Sequence, residues 1–308
     1  MMEKIKKIIG SKWIRWGFTV VIFYFVFTKV NVVKVVDELK NIPIWFLVVI
    51  IFYYLIGNIV WAYRWALLVL KEVTFRDVLF FVKSMYVAGF YGILIPSTVG
   101  SDIIKWIPLI KKYPHLSKTK LASSVVIDRI VGISAFSVMA LIAAIIGKAK
   151  HYQFPDYILW LFILLVIGVV SFHVLVNILD FEKLFGKIPI LRKLLDIIDI
   201  FKKGNKKRIL WCLFISFLAE PIWILPIWFL SLILKSNMSL ISIFVTIPIM
   251  NLILSLPISI GGFGAREVLF LYFFRQSGIS DEKILAVSAG QGLIGILGML
   301  VGGIFLLF

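Results

Sequence analysis

The hydrophobic positions fall in long unbroken runs. Runs at about 13–28, 44–70, 118–146, 157–179, 207–234 and 282–308 approach or exceed the roughly 20 residues that carry an α-helix across a bilayer. The period-two alternation of a membrane barrel is absent, so the fold class is an all-α polytopic membrane protein. Two further apolar segments are interrupted. One runs from Val78 to Ile95, breaks at Pro96–Gly100 and resumes as a short limb to Ile110. The other runs from Leu240 to Leu256, breaks at Pro257–Gly264 and resumes to Phe274. At about 1.5 Å per residue, the second limb of the first crosses only half of the hydrocarbon core, so both are expected to be re-entrant hairpins. The segment 29–41 reads as a short loop of mixed charge. In 181–203 the pattern changes: Leu184, Ile188, Leu191, Leu195 and Ile198 recur at helical spacing, with Lys187, Lys193 and Lys202 between them. That predicts a basic amphipathic helix on the cytoplasmic surface. The expected architecture is six full spans plus two broken hairpins in a single transmembrane domain, 1–308.

The breaks repeat. Pro96 and Gly100 recur at the same spacing as Pro257 and Gly261, and Ser117, Lys120 and Gly132 recur as Ser280, Lys283 and Gly295. Each half then reads span, span, hairpin, span, with repeat one at about 13–147 and repeat two at about 157–308. Three crossings per half is an odd number, so the halves would be inverted. Inverted repeats whose broken helices meet at mid-membrane are the mark of secondary transporters.

Composition agrees with the pattern. Of 308 residues, 61% are hydrophobic and the mean hydropathy is +1.04, too apolar for a soluble domain of this length. The net charge of +17 would suggest nucleic acid in a soluble protein. Here Lys and Arg gather in 1–12, 71–83, 111–120 and 180–208, between the runs, so no nucleic-acid partner is expected. By the positive-inside rule these segments face the cytoplasm of a cell-membrane protein, with both termini inside. The first run lacks a small-residue cleavage site and reads as a retained span. The lone Cys212 and the scattered histidines (His115, His151, His173) have no ligand spacing, so neither metal nor cofactor is expected.

Charges at bilayer depth are the candidates for function, because each is costly there. Asp102, Lys105, Asp128, Arg129, Glu220, Arg266 and Glu267 converge on one depth. Arg64 reads as an anchor near the inner surface, its head snorkelling to water. The hairpin tips offer free N–H groups and a positive dipole end, with Ser101 as a helix cap and Gly261 and Gly262 allowing close backbone approach. Such a site suits a phosphate, with Lys105 and Arg266 adding charge. The carboxylates Asp102, Asp128 and Glu220 would receive a cationic or hydroxyl-rich headgroup, or carry a coupling proton. The competing reading is that these charges bind one another and only lock the bundle. No catalytic residue is identified.

The motifs Pro96-x-x-x-Gly100-Ser101-Asp102-x-x-Lys105, Ala122–Arg129 and Leu256–Glu267, together with Arg64-Trp65, resemble the lysylphosphatidylglycerol synthase transmembrane-region family. This is the flippase-like membrane domain of the multiple peptide resistance factor, also found as stand-alone proteins. Ser101 and Lys105 depart from the family's usual Gly-Gly-Asp followed by Arg, and a lysine offers a point contact where an arginine offers a fork. The resemblance implies movement of charged or glycosylated lipids between leaflets. Lysyl transfer belongs to a soluble domain of the fused proteins and is not implied for a chain ending at Phe308. The leading expectation is therefore a flippase whose partners are anionic or polyprenyl-linked lipids. The alternatives are a membrane enzyme acting on lipid-linked substrates and an accessory subunit of a partner enzyme. A homo-oligomer is also open.

Overall fold

The computed structural model describes residues 32–94, 98–152, 154–179, 206–254 and 262–305. The expected span at 13–28, the amphipathic helix at 181–203, Pro96, Pro257, Gly261 and the side chain of Ser101 lie outside the described residues.

Within them every regular element is helical. In chain order these are α1 (Val32–Lys40), α2 (Ile44–Val69), α3 (Phe75–Leu94), α4 (Thr98–Lys112), α5 (Lys118–Ala149), α6 (Asp156–Ile178), α7 (Lys206–Ile233), α8 (Leu240–Leu254), α9 (Ala265–Phe274) and α10 (Asp281–Ile304), with a 3₁₀ turn at Arg275–Ser277. Five of them (α2, α5, α6, α7 and α10) are long and apolar enough to cross a membrane. They coincide with five of the hydrophobic runs. Length alone explains the agreement: in hydrocarbon every backbone N–H must bond within its own helix.

Two local expectations are corrected. The segment 29–41 is not simply a loop, since Val32–Lys40 forms α1. Val35 packs against Leu285, so burial on α10 supplies what nine residues lack alone. The first break is also shorter than expected. Helix resumes at Thr98, so Gly100 and Ser101 stand inside α4, not in a break and not at a cap. A glycine in an otherwise helical turn costs only about 1 kcal/mol, less than a membrane-buried turn gains by bonding its backbone.

The described residues group into two compact units. One draws on the described residues within 1–56, 86–102 and 222–308; the other draws on those within 57–85 and 103–221. Each takes pieces from both halves of the chain. In the first, α10 packs against α1 and α9, and α8 packs against α9, so the limbs of the second broken segment lie together. Glycines let α10 approach closely. A Cβ on Gly302 would collide with the Tyr86 carbonyl, and one on Gly290 would come within 2.9 Å of Leu230.

In the second unit α5 packs along α6, and Leu68, Ile127, Val131 and Cys212 form a core with Phe172 and Ile209 against it. The limbs of the first broken segment also touch: the Ser84 hydroxyl donates to the Lys105 carbonyl. At its membrane-surface end, Tyr113 Oη donates to Asp77 Oδ1 at 2.6 Å, and the Thr74 N–H and hydroxyl donate to Oδ2 at 2.9 and 2.6 Å. Burial opposes the charge on Asp77, but these hydrogen bonds and the nearby Lys112 outweigh it and hold the carboxyl below its ordinary range. Burial and the Asp77 carboxylate push the Tyr113 hydroxyl up.

Arg208 closes the far end of α2. Its guanidinium donates to the carbonyls of Leu67 (3.3 Å), Leu70 (2.6 Å) and Lys71, which the helix end would otherwise leave unpaired. The helices α5 and α10 begin alike. Ser117 and Ser280 are their N-caps, with φ, ψ of −66°, 145° and −63°, 144°.

Candidate functional site

Among the described residues, each unit holds a cluster of buried charge. In the second unit the centre is Asp128, on the inward face of α5. Arg64, on α2, sends Nε and Nη2 to Asp128 Oδ1 at 2.9 and 2.8 Å and Nη1 to Ser216 Oγ on α7 at 2.9 Å. Lys105, on α4, places Nζ 3.2 Å from Asp128 Oδ2 and 4.2 Å from the centre of the Trp65 ring. Trp65 is held in turn by Nε1 donating to Ser124 Oγ at 3.0 Å. Arg64 and Asp128 are buried, and Lys105 is partly buried at 13% exposure. Two cations thus share one carboxylate. Glu220, 7% exposed, is the second carboxylate to feel the charge of Arg64.

Pairing is obligatory at this depth, since an unpaired charge in a low-dielectric interior is strongly destabilising. The pairing nevertheless leaves capacity. An ammonium has three donors, and among the described residues Lys105 spends one of them, on Asp128, at 3.2 Å. The ammonium also lies over an aromatic face, which stabilises a cation without saturating its N–H groups.

In the first unit the cluster sits at the start of α9. Glu267 Oε2 accepts the Gly264 N–H at 2.6 Å, which fixes the helix start. Its Oε1 accepts from Arg266 Nη2 at 2.9 Å, from Arg266 Nε at 3.2 Å and from Ser288 Oγ at 3.1 Å. Arg266 Nε also lies 3.3 Å from Ser288 Oγ, and its Cζ lies 5.2 Å from the centre of the Phe263 ring. The guanidinium lies against the backbone of α10 at Gly292, where any Cβ would collide with it. Gly262 and Gly264 have φ of 78° and 79°, values that L side chains rarely adopt.

The two clusters share a plan. Arg266 follows Pro257 at the spacing at which Lys105 follows Pro96. In each unit the second limb of a broken segment presents a cation to the long helix that follows it, α5 or α10. Of the other candidates, Asp102 is half-buried and Arg129 is exposed.

The sequence model of the lysylphosphatidylglycerol synthase TM region matches residues 12–303, nearly the whole chain. The chain belongs to that family. Comparison with curated proteins found no match, and neither did comparison with solved structures. The protein is thus a multi-helix membrane protein of the lysylphosphatidylglycerol synthase transmembrane family, which connects it with membrane lipids.

In this family member the buried clusters contain residues that the sequence reading passed over. Arg64 is no snorkelling anchor: it is 6% exposed and bound to Asp128. Its seven-residue distance from Lys71 was the usable signal, since about 10 Å of helix puts it well below the surface. Ser216, Ser288 and Gly292 gave no such signal, because hydroxyls and glycines are common in apolar helices.

Proposed function

We propose that the protein moves an anionic phospholipid or polyprenyl-linked lipid between leaflets, and that it is a carrier and not an enzyme. Lys105 carries this reading. It is a partly buried ammonium with donor capacity to spare, held on an aromatic face inside a lipid-embedded unit. A lipid phosphate supplies the missing acceptors. Arg266, flat against Gly292 and braced by Glu267, offers the second cationic contact, and its guanidinium matches phosphate oxygens in pairs. Acyl tails would stay in the bilayer while the headgroup passes between polar contacts.

On this reading both broken segments are re-entrant and the two halves form an inverted repeat. The matching N-caps at Ser117 and Ser280 and the matching cations Lys105 and Arg266 support that. Alternating access would expose the charged clusters to one leaflet and then the other.

The test is transport by the purified protein in liposomes, followed with a headgroup-labelled phosphatidylglycerol and an impermeant quencher. Lys105→Gln and Arg266→Gln should each slow transbilayer movement by about ten-fold or more, the weight of one charge-assisted hydrogen bond. Melting in detergent would report on folding. Movement at the wild-type rate in both folded variants would end the proposal.

A further inference from the structure

Glu220 is the buried charge that the phosphate contact leaves unused. It is 7% exposed and lies inside α7, one turn beyond Ser216 on the same face. Among the described residues it makes no hydrogen bond and no ion pair, and what acts on it is the field of Arg64. An intramembrane carboxylate without a bonded partner is a candidate proton carrier.

The groups around it, all in the second unit, determine what that proton would do. Arg64 faces α7 from α2. Its Nη1 has two N–H groups and, among the described residues, spends one, on Ser216 Oγ at 2.9 Å, so a donor remains on the side towards α7. Asp128 from α5 and Lys105 from α4 complete the charged set. On α7 itself, the buried Cys212 thiol lies one turn before Ser216. Arg208 lies a further turn back, with its guanidinium on the carbonyls at the end of α2.

Charge balance then couples the proton to the lipid. With Glu220 ionised, two cations meet two carboxylates and the cluster is neutral. An uncompensated charge in such an interior is strongly destabilising. A phosphodiester arriving at Lys105 brings one negative charge. The cluster stays neutral only if Glu220 takes up a proton as the lipid enters, drawn from the water on that side. When the phosphate departs to the other leaflet, Glu220 ionises again and its proton passes to the water there.

We propose that Glu220 is a proton-binding site coupled to the headgroup site, so that one proton travels with each anionic lipid. This deepens the carrier reading and rests on it. Lipid and proton together carry no net charge, so the driving force is a pH difference and not the membrane potential. The coupling is reciprocal: a lipid that raises the affinity for a proton is itself bound more tightly where protons are plentiful.

The experiment uses the full chain in detergent, with dihexanoyl phosphatidylglycerol as the probe. Binding is titrated by calorimetry in buffers of different ionisation enthalpy, from about pH 6 to 9. At the alkaline end the wild type should take up about one proton per lipid bound, and its affinity should fall about ten-fold per pH unit. Glu220→Gln, permanently neutral, should bind without proton uptake and with an affinity independent of pH. Glu220→Asp should keep the uptake. In vesicles, an outside-acid gradient should draw labelled phosphatidylglycerol inward beyond an equal share between leaflets, and a potassium–valinomycin potential should not. Melting in detergent reports on folding. If Glu220→Gln does not fold, wild-type uptake and the gradient experiment decide. Lipid binding without proton uptake in the wild type, or uptake that persists in folded Glu220→Gln, overturns the inference and leaves the carrier reading standing. Absence of lipid binding overturns both.

Discussion

At Asp128 one carboxylate answers two cations, and that imbalance sets what single substitutions do. Asp128→Asn would leave Arg64 and Lys105 buried and repelling each other. A loss of about 3–5 kcal/mol is expected, as for breaking any buried pair, and is readable as a lower melting temperature in detergent. Adding Arg64→Gln should return part of the loss, because it removes one stranded charge. Gly292 and Gly295 make a second contrast on one helix. Alanine at 292 must displace the Arg266 guanidinium from Ser288, whereas alanine at 295 meets nothing within 4 Å. Gly292→Ala should therefore destabilise by about 1–3 kcal/mol. Gly295→Ala should be neutral or slightly stabilising, since alanine is the better helix former. At this scale the sequence was half legible. Depth counting found Asp128, Lys105, Arg266 and Glu267, because charge in an apolar run stands out. It misplaced Arg64, whose depth below the surface was underestimated, and it could not see which serine each cation would find.

At the scale of elements, helix ends carry the information. Gly264 has φ 79° and ψ −58°, a conformation that costs an L residue about 1–3 kcal/mol. Gly264→Ala should loosen the start of α9 and with it the Glu267–Arg266 pair. Faster amide exchange in the first turn of α9 would show it, and unchanged exchange would contradict it. The surface end of the first broken segment has its own pH signature. Asp77 has its folded-state pKa lowered, so its contribution is present above the ordinary carboxylate pKa of about 4 and is lost as pH falls through the folded value. Tyr113 is shifted the other way, so its contribution is complete below about pH 10 and fades as pH rises beyond that. The melting difference between wild type and Asp77→Asn should thus be flat near neutrality and shrink towards acid. A difference that grew towards acid would refute the assignment. Element boundaries were the weaker part of the sequence reading. The start of α4 came out three residues late and α1 was read as loop, because glycine and mixed charge argue against helix only until neighbouring helices are counted.

Across the whole molecule, hydropathy alone located the five long helices, since backbone bonding in lipid allows little else. Orientation rests on the distribution of Lys and Arg. Cys212 is fully buried, so an impermeant maleimide should leave the wild-type protein unlabelled in intact cells. In a Cys212→Ala background, Gln276→Cys should label from outside and His115→Cys only after the cells are opened. The reverse pattern would invert the topology.

The three carbonyls gathered by Arg208 have a use for whoever measures motion in this protein. Where α2 stops and α7 starts, the two backbones are clasped by one side chain, so that corner makes a natural fixed point. Spin labels at 72 and 207 should give one narrow distance whatever else the protein does. Displacements measured from that corner can then be read as movement of the other helices alone.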